Sequence, residues 1–403
     1  MVFRVTHFQR VDYFTHGDQN NPGARAGNTM AVTVAGLEGI IAAESRICFI
    51  DGEAGVLSYQ GYDIRTLGEH ATFEEVIFLL WNGRLPKQAE LDELEAALVA
   101  HREIPGPVEA FLKNLPKGAV PMAALRTAIS MLALYDPLAQ DMSVEANKTK
   151  ALKLMAQTAT IVTSLDRLRN GNPVIPGDPK LGFAANFLYT LAGKKPDDVM
   201  ERAFDVALVL HAEHELNAST FAARVTAATL SDIYSSVTSA IGALKGPLHG
   251  GANEDVIKLL LTINTPEEGV AKVKAMLANK EKIPGLGHRV YHTLDPRAAF
   301  LKDMAKELGE RTGHIKLYEI SNAIQAYGKE AKNLNANVDF FSASTYYSLG
   351  IPRDLFTPIF AVSRMSGWTA HILEQYHNNR LIRPRAEYTG EAPGKKWVPI
   401  EER

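Results

Sequence analysis

From residue 72 onward the sequence is divided by helix-starting and helix-stopping signals that leave little room for a sheet. Thr72 and Glu75 have capping-box spacing ahead of "VIFLLWNG", and Asn82-Gly83 ends that segment. Leu91, Leu94 and Leu98 stripe the next segment at helical spacing. Thr265-Pro266 with Glu268 combines a cap, a proline suited to a first helical turn and a box partner. Asp295-Pro296 and Thr357-Pro358 open two more helices, the second running towards Asn378, and Asn253 is placed to cap "EDVIKLLL". The one strand signal is earlier: "RICFIDG" and "GVLSYQGYDI", separated by a glycine-containing turn, predict a hairpin. No internal repeat of 20 to 50 residues is present. The expectation is an all-α protein with one short β-hairpin near its N-terminus.

Several function classes are disfavoured by composition. A net charge of −3 without a basic run gives no electrostatic case for nucleic acid. One cysteine, Cys48, rules out an internal disulfide and a Cys-ligated metal site and fits a reducing compartment. No stretch reaches the roughly 18 apolar residues of a membrane span, and the first 21 residues lack a signal-peptide core, so a cytoplasmic location is expected. With 403 residues the chain has room for two domains. Residues 1–34 read as an arm outside them.

Four clusters carry candidate chemistry. In "HAEHELNAST", His211 and His214 are three apart, read as one helix face; such a pair suits a metal, a polar network or an anion. A metal-dependent hydrolase using that pair is therefore a competing reading. In "LKGPLHGGANEDV", Pro247 and Gly250-Gly251 display His249 in a tight connection that allows close backbone approach, although a surface-loop histidine is the simpler account. In "IPGLGHRVYHTLDPRAAF", Arg297 is read as the second residue of a helix, where a cation opposes the helix dipole and, with the free N–H groups, makes an anion cradle. In "NANVDFFSAS", Asp339 sits among apolar neighbours that raise its basicity, while Arg364 shares a helix face with Phe360, Trp368 and His371 and so needs an anionic partner. These clusters suit a polyanionic small molecule. They do not name a reaction.

Taken in order, "HAEHELNAST", "GPLHGGANE", "PGLGHRVYHTLDPRA", "NVDFFSAS" and "FAVSRMSGW…RLIRPRAEYTG" resemble the citrate synthase family from about Gly36 to Tyr388. The resemblance implies a homodimer with a large helical domain, residues 35–250 and 351–403, and a smaller mobile one, residues 251–350. It implies condensation of acetyl-CoA with oxaloacetate, with the 2-methylcitrate synthases, which use propionyl-CoA, as the nearest rival. By the matched motifs, His249 steadies the enolate, His288 polarises the ketone and Asp339 removes the methyl proton. Oxaloacetate falls to His214, Arg297, Arg364 and Arg383, the last from a partner subunit. Coenzyme A falls to Pro284, Gly285, Leu286, Gly287, Lys332 and Asn337. No metal and no cofactor are implied, the thioester being a substrate. Val120 stands where many relatives have histidine, at a position given no catalytic step, and the arm does not resemble the added domain of NADH-regulated hexameric relatives.

Overall fold

The computed structural model describes residues 34–37 and 39–403, so the arm expected over 1–34 lies, apart from Val34, outside the described residues. Two units are distinguished. One comprises residues 1–43 and 385–403, whose described part carries the short 3-10 turns Ala35–Leu37 and Ile400–Glu402. The other, Glu44–Pro384, holds all the α-helices and the sheet among the described residues.

Helix boundaries follow the capping chemistry in most places. Thr72 and Glu75 form the reciprocal box that starts the helix Phe73–Asn82, and Gly83, at φ 75°, ends it in the left-handed conformation that glycine tolerates best. Thr265 accepts from Glu268 N–H at 3.2 Å and Pro266 opens the helix Pro266–Ala278, while the Glu268 carboxylate reaches past the cap to Asn264 N–H at 2.8 Å.

Elsewhere the predicted starts are corrected. Gly251, not Asn253, is the cap of the helix Ala252–Leu260; Asn253 lies inside its first turn, fully buried. The long C-terminal helix is Phe356–His377, entered through the 3-10 turn Arg353–Leu355, so Thr357 is already helical and its hydroxyl donates to Gly250 O at 3.0 Å. The hairpin expected near the N-terminus is a three-stranded antiparallel sheet, because Tyr62–Asp63 (β3) extends the pair Cys48–Asp51 (β1) and Val56–Tyr59 (β2).

The helix Phe356–His377 is buried at every residue from Phe356 to Ile372. It packs against Phe73–Asn82, Val144–Arg169, Asp198–His211, Ala218–Ala227 and Ile233–Leu244. A helix enclosed on all sides must satisfy its polar side chains internally. Ser363 Oγ accordingly donates to Leu208 O at 2.5 Å, and Arg364 Nε to His211 O at 2.7 Å. The helices Ala252–Leu260, Pro266–Ala278, Ala298–Thr312, Ile315–Lys332 and Val338–Ser348 pack mainly on one another. The turn between β1 and β2 braces the loop at 290–294. His292 N–H donates to Gly52 O at 3.0 Å, and a Cβ at Gly52 would lie 2.0 Å from Val290 O.

Candidate active site

The last carbonyls of the helix Asp198–His211 are met from outside: Ser363 takes Leu208 O, Arg364 takes His211 O, and the buried Tyr59 hydroxyl, which donates to Glu213 O at 2.9 Å in the following turn, also lies 3.3 Å from Val209 O. His211 and His214 are therefore not on one helix face, as the sequence suggested. His211 closes the helix, fully buried, with Nδ1 on Ala207 O at 2.7 Å and its ring against Phe360 and Tyr346. His214 lies in the following turn with its ring centroid 5.3 Å from His288 and its Nε2 3.2 Å from the Tyr291 hydroxyl. Among the described residues no group of three or more His, Cys, Asp or Glu side chains gathers as a metal site requires.

Arg297 is also corrected: it is the N-cap of the helix Ala298–Thr312 rather than a residue within it. The conflict with the helix dipole is relieved by Asp295. Its Oδ1 accepts from Arg297 N–H at 3.0 Å and Nε at 2.9 Å, and its Oδ2 from Nη2 at 2.8 Å. Both residues are buried. Burial pushes the Asp295 carboxyl up, but the guanidinium outweighs it and holds the group below the usual carboxylate range. Asp295 Oδ2 also accepts from Val338 N–H at 3.1 Å, joining the Arg297 turn to the start of the helix Val338–Ser348, next to Asp339.

A second link joins Asp339 to the His288 loop. Gly285 and Gly287 take φ values of 76° and 83°, which only glycine adopts readily, and Leu286 bridges to Ala336. Asn337 caps the helix Val338–Ser348 by accepting from Asp339 N–H at 3.0 Å, while its amide donates to Gly287 O at 2.9 Å. Asp339 is half-buried, yet its surroundings desolvate the carboxyl and push it up to about 6, with Arg297 and Arg364 opposing and Asp295 reinforcing the shift. The raised basicity expected from its apolar neighbours is thus present.

Both loop imidazoles are held in defined tautomers. His288 Nδ1 accepts from the main-chain N–H groups of Val290, at 3.0 Å, and Tyr291, at 3.1 Å. An amide N–H can only donate, so Nδ1 presents its lone pair and Nε2 carries the proton. His249 Nε2 lies 3.2 Å from the Ser219 N–H and 2.8 Å from Ser219 Oγ, which leaves its proton on Nδ1. Burial, followed by the charge of Arg364 for His249 and of Arg297 for His288, lowers both rings to about 4. Both are neutral donors at pH 7.

The remaining cation is Arg364, 1% exposed, with its guanidinium carbon 4.8 Å from the Phe360 ring centroid; the same ring lies 6.5 Å from His249. His249, His214, His288, Arg297, Arg364 and Asp339 are thus tied together by shared contacts and charges. Arg383 and Lys332 are not brought into this group. Arg383 is exposed in the extended stretch after the helix Phe356–His377, and Lys332 is exposed at the end of Ile315–Lys332. The sequence reading missed Ser219 and Tyr291 and took Asp295 only for a helix opener. Their partners lie 30, 77 and 43 residues away, beyond any local pattern.

Two guanidinium groups beside two imidazoles and one carboxyl of raised basicity form a cluster whose chemistry suits an enzyme acting on a small dianion. The model of "Citrate synthase, C-terminal domain" matches residues 36–385. "Citrate synthase 2" of Bacillus subtilis is 55% identical over 91% of this chain and 98% of its own length. The crystal structure of citrate synthase from Pyrobaculum aerophilum superposes with a TM-score of 0.86 at 42% identity, over 91% of this chain and 95% of that one. A ternary complex of carboxymethyl coenzyme A and oxaloacetate with citrate synthase from Thermoplasma acidophilum gives 0.86 at 34% identity, over 91% and 98%. The chain belongs to the citrate synthase family, and with it to the acyltransferases.

Proposed function

We propose that this site condenses acetyl-CoA with oxaloacetate and water, giving citrate and CoA, and that its residues divide the work as follows. The observation that carries the assignment is the pair of imidazoles whose protons are placed by main-chain N–H groups. His214, Arg297 and Arg364 hold the oxaloacetate carboxylates. Asp339 takes a proton from the acetyl methyl, the electron pair moving towards the thioester oxygen, where His249 Nδ1–H donates. The methylene carbon then bonds to the ketone carbon of oxaloacetate, whose oxygen is polarised and protonated by His288 Nε2–H. Water cleaves the citryl thioester to a carboxylate, CoA leaves as the thiol, and Asp339 gives up its proton to solvent as His288 regains one.

Magnitudes show why three groups are needed. A thioester methyl is a weaker acid than an ordinary aspartic acid by something on the order of 15 pK units, about 20 kcal/mol. Raising Asp339 to about 6 removes only roughly 3 kcal/mol of that gap. The rest requires a donor already aimed at the oxygen as charge develops, which is the task assigned to His249.

Coenzyme A is assigned to the backbone of Pro284, Gly285, Leu286 and Gly287, with Lys332 and Asn337 beside it. Residues 251–350 are assigned as the mobile domain, on the support that their helices pack mainly on one another. The protein is assigned as a cytoplasmic homodimer, Arg383 crossing to the partner's site. Exposed Leu134 and Tyr135, at the end of the helix Pro121–Tyr135, support a covered surface, and no helix among the described residues is long and apolar enough to cross a membrane. Sedimentation velocity tests the dimer.

Thiol release with oxaloacetate and either acetyl-CoA or propionyl-CoA tests the reaction. The expected result is a higher kcat/KM for acetyl-CoA. One methylene is worth about 1–3 kcal/mol of discrimination, so a large preference for propionyl-CoA reassigns the site to 2-methylcitrate formation.

A further inference from the structure

Beyond the residues assigned to oxaloacetate lies a row of buried polar side chains that the proposed chemistry does not use. Arg224, on the helix Ala218–Ala227, is 4% exposed. Its Nη1 donates to Glu374 Oε2 at 2.6 Å and to His371 Nδ1 at 2.9 Å, and its Nε to Gln375 Oε1 at 3.1 Å. His371 is fully buried, with Nε2 3.1 Å from Glu213 Oε1. Glu213, also fully buried, accepts from His214 N–H on the same oxygen at 2.8 Å.

The sense of each link is fixed by chemistry. A guanidinium has only donors, so His371 Nδ1 is a lone pair; a carboxylate has only acceptors, so Nε2 carries the proton. Donation therefore runs from Arg224 through His371 to Glu213, which also accepts from the main chain of His214, a residue assigned to the substrate. Its other carboxylate oxygen, Glu213 Oε2, is buried without a hydrogen-bond partner among the described residues. That oxygen is pressed against Gly367, where a Cβ would lie 2.1 Å from it. Leaving a buried carboxylate oxygen unpaired is costly, and a neutral core would not require it. Gly367 is less than one helical turn from Arg364, whose guanidinium is pushed down by burial and supported first by the Glu213 charge.

We propose that Arg224, His371 and Glu213 are positioning residues for the diacid: they pin the His214 main chain and hold a fixed negative charge near Arg364, so both ligands are oriented before substrate arrives. The proposal rests on His214 and Arg364 as oxaloacetate ligands. The test is steady-state kinetics on the full chain carrying His371→Leu or His371→Gln, varying each substrate in turn. Glutamine can accept from Arg224 and donate to Glu213, whereas leucine does neither. The expected result is a KM for oxaloacetate at least tenfold higher in the leucine variant. Its KM for acetyl-CoA stays within twofold, and both constants stay within threefold of the unaltered protein in the glutamine variant. Should His371→Leu fail to fold, His371→Met, which fills the volume without the paired hydrogen bonds, carries the same expectation.

An unchanged oxaloacetate KM in a folded leucine or methionine variant overturns the proposal. So does failure of both to fold, which assigns the row to core stability. If the unaltered protein releases no thiol with oxaloacetate, the substrate reading falls and takes this inference with it; if it does and only the variant result disagrees, the inference alone falls.

Discussion

Replacing Asp339 by asparagine separates what the carboxyl does for catalysis from what it does to stability. In the folded protein burial pushes it up to about 6, against about 3.9 in an unfolded chain. Below both values the two states bind the proton equally and the group contributes nothing. As pH rises past 4 the unfolded chain releases its proton while the folded site retains it, so folding loses free energy until the site also ionises near 6. The accumulated loss is roughly 3 kcal/mol, with about half of it present at pH 5. Asparagine has nearly the same shape and never ionises. Asp339→Asn is therefore expected to be more stable than the unaltered protein at pH 7.5. With an unfolding entropy of about 2.1 cal/mol/K per residue over 403 residues, the gain in Tm is about 3 °C. The gap should shrink to about half at pH 5. The same variant should lose at least 10²–10⁴-fold in kcat, the usual range for removing a general base. The unaltered protein should show an acid limb in kcat/KM near pH 6. Scanning calorimetry between pH 5 and 8, beside the thiol-release assay, measures both. A Tm gap that is constant with pH, or that has the opposite sign at pH 7.5, refutes the desolvation argument; near-full turnover refutes the base.

Arg364→Leu should raise the oxaloacetate KM by roughly 10–100-fold, since hydrogen bonds to a charged group contribute about 1.5–3 kcal/mol, with a smaller fall in kcat; steady-state kinetics checks it. Gly52→Ala should lower kcat/KM about tenfold or more and cost about 1–3 kcal/mol of stability, because the added methyl has to displace Val290 O, beside one of the N–H groups that hold His288. Thermal melts and kinetics on one preparation test this, and wild-type behaviour in both would show that the hairpin does not brace that loop. Prolonged dialysis against a chelator should leave turnover within twofold, because His211 Nδ1 is occupied by Ala207 O rather than turned towards His214.

What could be read from the sequence was mostly local. The Thr72–Glu75 box, the Thr265-Pro266 start and the Gly83 stop depend on neighbours within four residues, and all three stand in the fold. The errors arose where a distant group overrode the local pattern. Ser363, Tyr59 and Arg364 meet the carbonyls of Leu208, Val209 and His211, which would otherwise have continued the helix past His211. Asp295 serves Arg297 and Val338 instead of acting as a simple cap. Asn253 resembled a cap because its residue type is common there, but the chain turns into the helix at Gly251. The motifs bearing His249, His288 and Asp339 were legible individually. The contacts that connect them, such as Asn337 to Gly287 O across 50 residues, were not.

The lone pairs of His249 and His288 are both faced by peptide N–H groups, a class of donor that ordinary side-chain replacement cannot delete. The tautomers that the proposed chemistry requires are consequently insulated from most point substitutions around these two rings. Proline at 219, 290 or 291, or a change in loop length, is the kind of alteration that removes such a donor. Substitutions that alter side chains around His249 and His288 should therefore leave both tautomers in place as long as the path of the backbone at those three residues is kept.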